Sequence, residues 1–439
     1  MVDFLSTFHL SQNLTKQLEW SYNTVNLTNG DIMKFYLMHK DIQAASLNIN
    51  NETGRIKSVF NISAPEHLPI GVEYAEGKAD KYALDEWWEY RCIPNRRTGI
   101  EDALKKLKVQ NTLALAVRGN ALSLTDKYWI KPTDSDLKWA DVNFVDNPNF
   151  SDHVGKAIRR HNWVDSKALD YRSPDITTNG NLFKYWLQEN GKPYLVKGGS
   201  LPFNQQPFNE IIASAIARKL GIPHVEYTLH EDAKPFCRCD CFVTQETELV
   251  SAWQIYRTIK KKPEVSTYSH FINCCKQLGI KDAVQSINQM IVLDYIIVNE
   301  DRHLNNFGFL RNAETLEWIG FAPIFDSGTS LGYNRPSFHS DEFRCKPFKN
   351  THAEQIKLVS SFDWIDFSKL DNIENEITEI FAVKQAEPYI DPVRCKDIAA
   401  LVRRGIEYVR KLAQCSESCK LFDDINDDVV KDTAIYYDR

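Results

Sequence analysis

The chain has 439 residues, 43% of them hydrophobic and 26% charged, and its net charge is −6. This is the balance of an ordinary globular protein with room for two or three domains. The acidic excess excludes a dominant nucleic-acid surface, since phosphate binding needs a basic face.

In chain order, residues 1–30 are largely polar, and Asn23, Asn26, Asn29 and Gly30 mark a turn-rich segment. The first ten residues carry no basic stretch leading into an apolar run. The ten cysteines of so long a chain do not read as the disulfide framework of a small secreted domain. The expectation is a cytoplasmic protein with reduced thiols. Residues 31–150 read as an α/β subdomain. Strand-like runs at 35–38 and 45–49 flank Asp41, and Asn50-Asn51-Glu52-Thr53-Gly54 reads as a hairpin turn. Apolar residues at 100, 103, 104 and 107 predict a short helix, and residues 113–117 and 122–124 are expected as short strands. A soft boundary falls at Asp146-Asn147-Pro148-Asn149. Residues 151–245 read as one lobe: a loop around Gly180, a strand at 194–197, a helix at 207–220 and strands at 225–229 and 237–243. Pro207 suits the first helical position, and Gly221 and Pro223 stop the helix. Residues 246–420 are expected to be mainly helical, broken by a hairpin between Phe307 and Phe325, with a tail at 421–439. The longest apolar stretch, residues 290–298, contains Asp294 and is too short to span a bilayer, so no membrane association is expected. A strand-rich half followed by a helix-rich half predicts a cleft between them.

The most informative segment is Asp301-Arg302-His303-Leu304-Asn305-Asn306, which follows the apolar run and precedes a strand; Ile324-Phe325-Asp326-Ser327-Gly328 comes after the hairpin. Phosphoryl transfer needs a carboxylate to orient and deprotonate the acceptor hydroxyl, and oxygen ligands for Mg²⁺. An Asp, an Asn five residues on, and a second Asp beyond a short hairpin supply those groups from one substructure. Alone, an Asp-Arg-His is commonly a surface cluster and an Asp-x-Gly a turn; their order behind a buried helix is what makes them specific. Upstream, Lys197 ends a strand, and Glu210 lies thirteen residues on in the next helix. Kinases use such a Lys to grip phosphates and such a Glu to orient it, whereas the bland reading is a snorkelling Lys and a Glu suited to the helix dipole.

Taken together, these motifs resemble the carboxy-terminal kinase domain of the HipA family over about residues 170–415, closely at the Asp301 loop and loosely at the Gly180 loop. The resemblance implies an α+β, two-lobed, protein-kinase-like fold with an amino-terminal α/β extension, and an ATP- and Mg²⁺-dependent serine/threonine protein kinase acting on a protein hydroxyl. It implies Asp301 as catalytic base, Asn306 and Asp326 as Mg²⁺ ligands, Lys197 on the ATP phosphates and Glu210 paired with Lys197. Thr178, Asn179 and Gly180 would cover the phosphates, and Phe242, Val243 and Thr244 would form the hinge that holds adenine. It also admits an antitoxin-like or regulatory protein partner, with no direct contact to nucleic acid. One of Ser173, Thr177 and Thr178 is implied as an inhibitory autophosphorylation site, the plainer role being turn capping. His303 and Arg302 are expected to organise the loop by hydrogen bonding.

The rivals are a lipid or small-molecule kinase of related fold and a catalytically silent binding module. Cys237-Arg238-Cys239-Asp240-Cys241 invites a zinc reading, but alternate strand residues spread the outer thiols along ~13 Å, too far for one tetrahedral ion. Cys415 and Cys419 share a helix face with no His nearby.

Overall fold

Alternating side chains over residues 32–60 allow one face of a sheet to be buried. A computed structural model describes residues 32–151, 153–158, 170–232, 234–337 and 343–434, with residues 153, 156 and 416–434 through their backbone alone. The polar segment 1–30 and the side chain of Cys419 lie outside the described residues. Strands β1 (Ile32–His39) and β2 (Ile42–Asn50) pair antiparallel, β3 (Ile56–Phe60) flanks β2, and β4 (Tyr74–Ala75) and β5 (Lys78–Ala79) form a small ribbon. After helix α1 (Lys81–Arg91), β6 (Tyr128–Pro132) returns beside β1, giving the order β3-β2-β1-β6. Phe35, Leu37, Leu47 and Ile49 are fully buried in this sheet's core, which Leu84 and Trp88 of α1 share.

Between α1 and β6 lie α2 (Ile100–Lys106) and α3 (Thr112–Arg118). Residues 113–117, expected as a strand, are inside α3. Asn111 caps the helix by accepting from the Ala114 N–H at 2.9 Å, and Leu and Ala are strong helix formers whose short apolar run has no decisive period. Residues 122–124 form no strand either: the Ser123 hydroxyl accepts from Thr125 N–H at 3.1 Å and turns the chain. Two short helices, α4 (Trp139–Val142) and α5 (His153–Ile158), lead to the next layer.

The second sheet has the order β7-β8-β10-β9, built from β7 (Lys184–Glu189), β8 (Lys192–Gly198), β9 (Tyr227–His230) and β10 (Phe236–Asp240). Helix α6 (Gln206–Leu220) connects β8 to β9 and ends where Gly221 takes φ 68. The strands expected at 225–229 and 237–243 are shorter than the apolar pattern suggested. Val225 N–H is satisfied by the Ile324 carbonyl at 2.9 Å, outside the sheet; Cys241 N–H still reaches the Pro193 carbonyl of β8 at 3.2 Å, but Pro193 has no N–H to return and the pairing stops there.

A third sheet, β11-β12-β13, crosses the chain: β11 (Thr247–Ser251) pairs with β12 (Gly308–Asn312), and β12 with β13 (Trp318–Phe321). Around it lie α7 (Ala252–Tyr256), α8 (Thr267–Gln277), α9 (Ala283–Ile296), α10 (His352–Gln355), α11 (Ile373–Phe381) and α12 (Pro392–Ala434). Helix α9 buries Ile287, Met290, Ile291, Val292, Leu293 and Ile296, as expected for a run that is apolar on nearly all sides. Among the described residues no helix is long and apolar enough to cross a membrane.

Candidate active site

Three segments converge between the second sheet and the helical layer on a cavity of about 460 Å³. It is lined by Lys197, Glu210, Asp301, Asn306 and Asp326, by residues 178–182 of the Gly180 loop, and by Phe242 and Val243. Thr244 lies beyond the lining; its N–H donates to the Thr247 hydroxyl at 2.8 Å and it tightens the turn into β11.

Strand β8 aims Lys197 inward because residue 197 falls on the face of the sheet that α6 covers. Its ammonium donates to Glu210 Oε1 at 2.8 Å, to Asp326 Oδ1 at 2.8 Å and to the Tyr227 hydroxyl at 2.9 Å. The other oxygen of Glu210 accepts from Ser327 N–H at 2.8 Å, so this carboxylate fixes both the lysine and the backbone next to Asp326. Burial works against the Lys197 charge, but Asp326 and Glu210 outweigh it and hold its pKa well above the usual range. Burial likewise opposes the Asp326 carboxylate; Lys197 and Lys184 overcome it and hold that group well below the usual range. Asp326 has φ 58, a left-handed backbone uncommon outside glycine, which directs its side chain back toward β8.

The Asp301 loop is held from beneath by Arg302, which is fully buried. Its guanidinium forks onto Asp294 in the last turn of α9, with Nε 3.0 Å from Oδ2 and Nη2 2.9 Å from Oδ1. It also donates to the carbonyls of Asn306 and Phe325 and, at 2.9 Å, to the Ser327 hydroxyl. One side chain thus ties together the segments that carry Asp301, Asn306 and Asp326, as expected for Arg302. Asn299 completes the support, donating to Asp294 at 2.9 Å and accepting from Asp301 N–H at 3.1 Å. Asn306 donates its amide to the Asp301 carbonyl at 3.0 Å. His303 Nδ1 accepts from Asn305 N–H at 3.3 Å, and burial lowers its pKa below the usual value.

Asp301 itself is more open, its side chain 38% exposed, and Lys346 donates to its Oδ1 at 2.7 Å. On its outer side Asp301 borders a surface groove with Glu300, Thr329, Tyr333 and Arg335.

The Gly180 loop begins with a turn of 3₁₀ helix over Pro174–Thr177. Ser173, Thr177 and Thr178 are all buried, and each hydroxyl is engaged: Ser173 accepts from Asp175 N–H at 3.3 Å, Thr177 donates to the Leu122 carbonyl at 2.8 Å and Thr178 to Pro174 at 2.8 Å. Ser173 and Thr178 cap the turn, and Thr177 both caps it and reaches across to the Leu122 carbonyl. Gly180 has φ 99, a backbone conformation that favours glycine, and the Lys184 ammonium lies against its open face. Phe242 stacks on Phe325 with centroids 5.7 Å apart.

Several of these groups went unread in the sequence. Lys184 points from β7 into the cavity, where burial pulls its ammonium down to about 8, Asp326 opposing the shift and Lys197 adding to it. A Lys four residues after the loop glycine was the available signal. Asp294 was visible only as an interruption in an apolar run; its lone charge called for a buried partner. Arg97 donates to the Thr178 and Gly180 carbonyls, and nothing in its local sequence links it to a loop some eighty residues on.

Comparisons with known proteins give the family and the fold. A family model described as the HipA-like C-terminal domain matches residues 166–396. The serine/threonine-protein kinase CtkA of Helicobacter pylori is 28% identical over 176 residues, covering 35% of this chain and 50% of the relative, so the chain spans about half the length of that curated relative. The crystal structure of the H. pylori proinflammatory kinase CtkA gives a TM-score of 0.41 at 18% identity, covering 54% of this chain and 95% of that one. A chain from the Shewanella oneidensis MR-1 toxin–antitoxin complex of HipA, HipB and operator DNA gives a TM-score of 0.52 at 13% identity, covering 87% of this chain and 99% of that one, which shows a shared fold. With a family model matched over more than half its length, the chain belongs to the HipA-like family.

Proposed function

We propose that the chain is a serine/threonine protein kinase that transfers the γ-phosphoryl group of ATP to a protein hydroxyl. The observation that carries this reading is the single cavity that Lys197, Glu210, Asp301, Asn306 and Asp326 share. In it, Lys197 holds the α- and β-phosphates while Glu210 keeps the ammonium aimed, and Lys184 adds a second cation beneath the Gly180 loop. Adenine lies toward Phe242 and Val243. Asp301 accepts the proton of the acceptor hydroxyl as it attacks, and its position between the cavity and the open groove suits an acceptor presented on a protein segment.

The donor set fits Mg²⁺. Asp326 and Asn306 offer two hard oxygen atoms, and among the described residues there is no group of three or more His, Cys, Asp or Glu that would form an all-protein cage. Mg²⁺ is commonly bound by one or two side chains with substrate phosphates and water completing the octahedron, and it would neutralise charge on the phosphates. An antitoxin-like regulatory partner belongs to the same proposal, prompted by the HipB named in the Shewanella complex. So does a cytoplasmic location, in keeping with nine free cysteines among the described residues.

The test is label transfer from γ-labelled ATP with Mg²⁺. Asp301→Asn should lower turnover about 10²- to 10⁴-fold, the range for removing a general base, while MgATP affinity stays within a few fold. Wild-type turnover in that variant would remove Asp301 from the role. Transfer to a small molecule or lipid with none to protein would favour the other acceptor class, and no transfer at all would favour a binding module.

A further inference from the structure

Arg97 lies in the turn between α1 and α2, in the amino-terminal subdomain, and only 2% of it is exposed. Its guanidinium has no ion-pair partner among the described residues. It spends its donors on backbone carbonyls of the Gly180 loop instead: Nε on Gly180 at 2.9 Å, and Nη2 on Thr178. Two further contacts press that loop onto the same subdomain. Thr177 donates to the Leu122 carbonyl at 2.8 Å, and Gly119 lies so close that a Cβ there would meet Ile176 Cδ1 at 2.1 Å.

A trans peptide is planar, with its C=O and N–H on opposite sides. Fixing the Thr178 carbonyl therefore fixes the Asn179 N–H on the far side, and fixing the Gly180 carbonyl does the same for the Asn181 N–H. Arg97 does not line the cavity, whereas residues 178–182 do, so the far side is the cavity side. The Gly180 N–H between them is already taken by the Asn179 side chain at 2.6 Å. Two N–H groups without a partner among the described residues are thus turned toward the space above the Lys184 and Lys197 ammonium groups. Backbone N–H groups turned toward one space in this way attract an anion, as in other anion-binding concavities of the main chain.

We infer that Arg97 is a positioning residue for nucleotide phosphates, through which the amino-terminal subdomain holds the Asn179 and Asn181 N–H groups toward the phosphate site; the inference rests on the ATP reading of the cavity. Lysine keeps the charge but cannot reach two carbonyls with a planar fork.

The experiment measures affinities of the full chain for MgATP, MgADP and adenosine by calorimetry, in wild type and in Arg97→Lys and Arg97→Gln, with thermal unfolding alongside. Loss of one or two charge-assisted hydrogen bonds that orient the loop should weaken MgATP and MgADP binding about 10- to 100-fold. Adenosine, which lacks phosphates, should bind within twofold of wild type. Equal loss of adenosine binding, including loss through failure to fold, would make Arg97 a general structural residue and overturn the inference. Unchanged preference for MgATP over adenosine in both variants would overturn it as well. A wild-type protein that does not prefer MgATP to adenosine would overturn the ATP reading itself, an outcome distinct from either of these.

Discussion

Lys346 reaches the Asp301 carboxylate from a tight turn that Gln355 clamps. The Gln355 amide accepts from the N–H groups of Phe348 and Lys349 at 3.0 and 3.2 Å and donates to the Lys346 carbonyl at 2.9 Å. With Oδ1 held by Lys346, Oδ2 is the oxygen that the proposed base role would use. Lys346→Met should therefore lower kcat about 10-fold with little change in ATP affinity, and Lys346→Arg should recover most of it; steady-state kinetics of the two variants check this. His352 makes a separate prediction about pH. Burial pulls its pKa down to about 4, against the opposing pull of Asp294 and a bond to the Asn299 backbone. The unfolded value is near 6.5, so the folded state binds its proton later. The neutral His352 thus contributes stability that is complete above about pH 6.5 and is lost as the pH falls toward 4. Between pH 7 and 4.5 this amounts to about 2–3 kcal/mol. Urea unfolding at both pH values should show wild type losing that much more than His352→Gln.

At the level of elements, α9 is the support on which the Asp301 loop stands. Its apolar residues could be read from the sequence, because a run that is hydrophobic all round has nowhere to go but the interior. The role of Asp294 could not, since its partner Arg302 lies in the following loop and the pairing depends on how the chain returns past the helix. Both groups are buried, so Asp294→Ala leaves an uncompensated guanidinium and should cost about 3–5 kcal/mol of stability. A denaturant titration measures this, and a loss under 1 kcal/mol would show that water reaches Arg302. Helix α3 makes the opposite point. Residues 113–117 suit a strand or a buried helix equally by pattern, and the Asn111 cap together with packing beneath Gly54 decides for helix. A Cβ on Gly54 would meet the Leu113 carbonyl carbon at 2.3 Å.

Over the whole molecule, the amino-terminal subdomain is joined to the HipA-like C-terminal domain by a buried polar network. His39 of β1 lies 3.0 Å from Glu248 of β11, Arg311 of β12 donates to Glu248 at 2.8 Å through Nε, and His39 and His67 meet through their Nδ1 atoms at 2.8 Å. Burial opposes the Glu248 charge, but His39 and Arg311 bring its pKa down to about 2. Glu248→Ala should leave Arg311 buried without a counter-charge and destabilise the protein by about 3–5 kcal/mol. Hydrogen exchange should then rise in β1 and β11 together; protection lost in β11 alone would mean that the two parts are not coupled through this residue.

The sequence by itself determined the order of the elements around the cleft, the helix α6, the buried α9 and the segment from Asp301 to Asp326. Each of these is written in short-range spacing, caps or apolar period, and such signals do not depend on distant residues. Lys197, Glu210, Asp301, Asn306 and Asp326, which line one cavity, could be picked out for the same reason: phosphoryl transfer would call on those residue types at those separations. Arg97, Lys184, Lys346, Asp294 and Glu248 were decided only by the tertiary structure. Asp294 meets Arg302 only eight residues on, but through the way the loop folds back under the helix, and the others meet partners tens to hundreds of residues away; a buried charge reveals its function only once the group that compensates it is beside it.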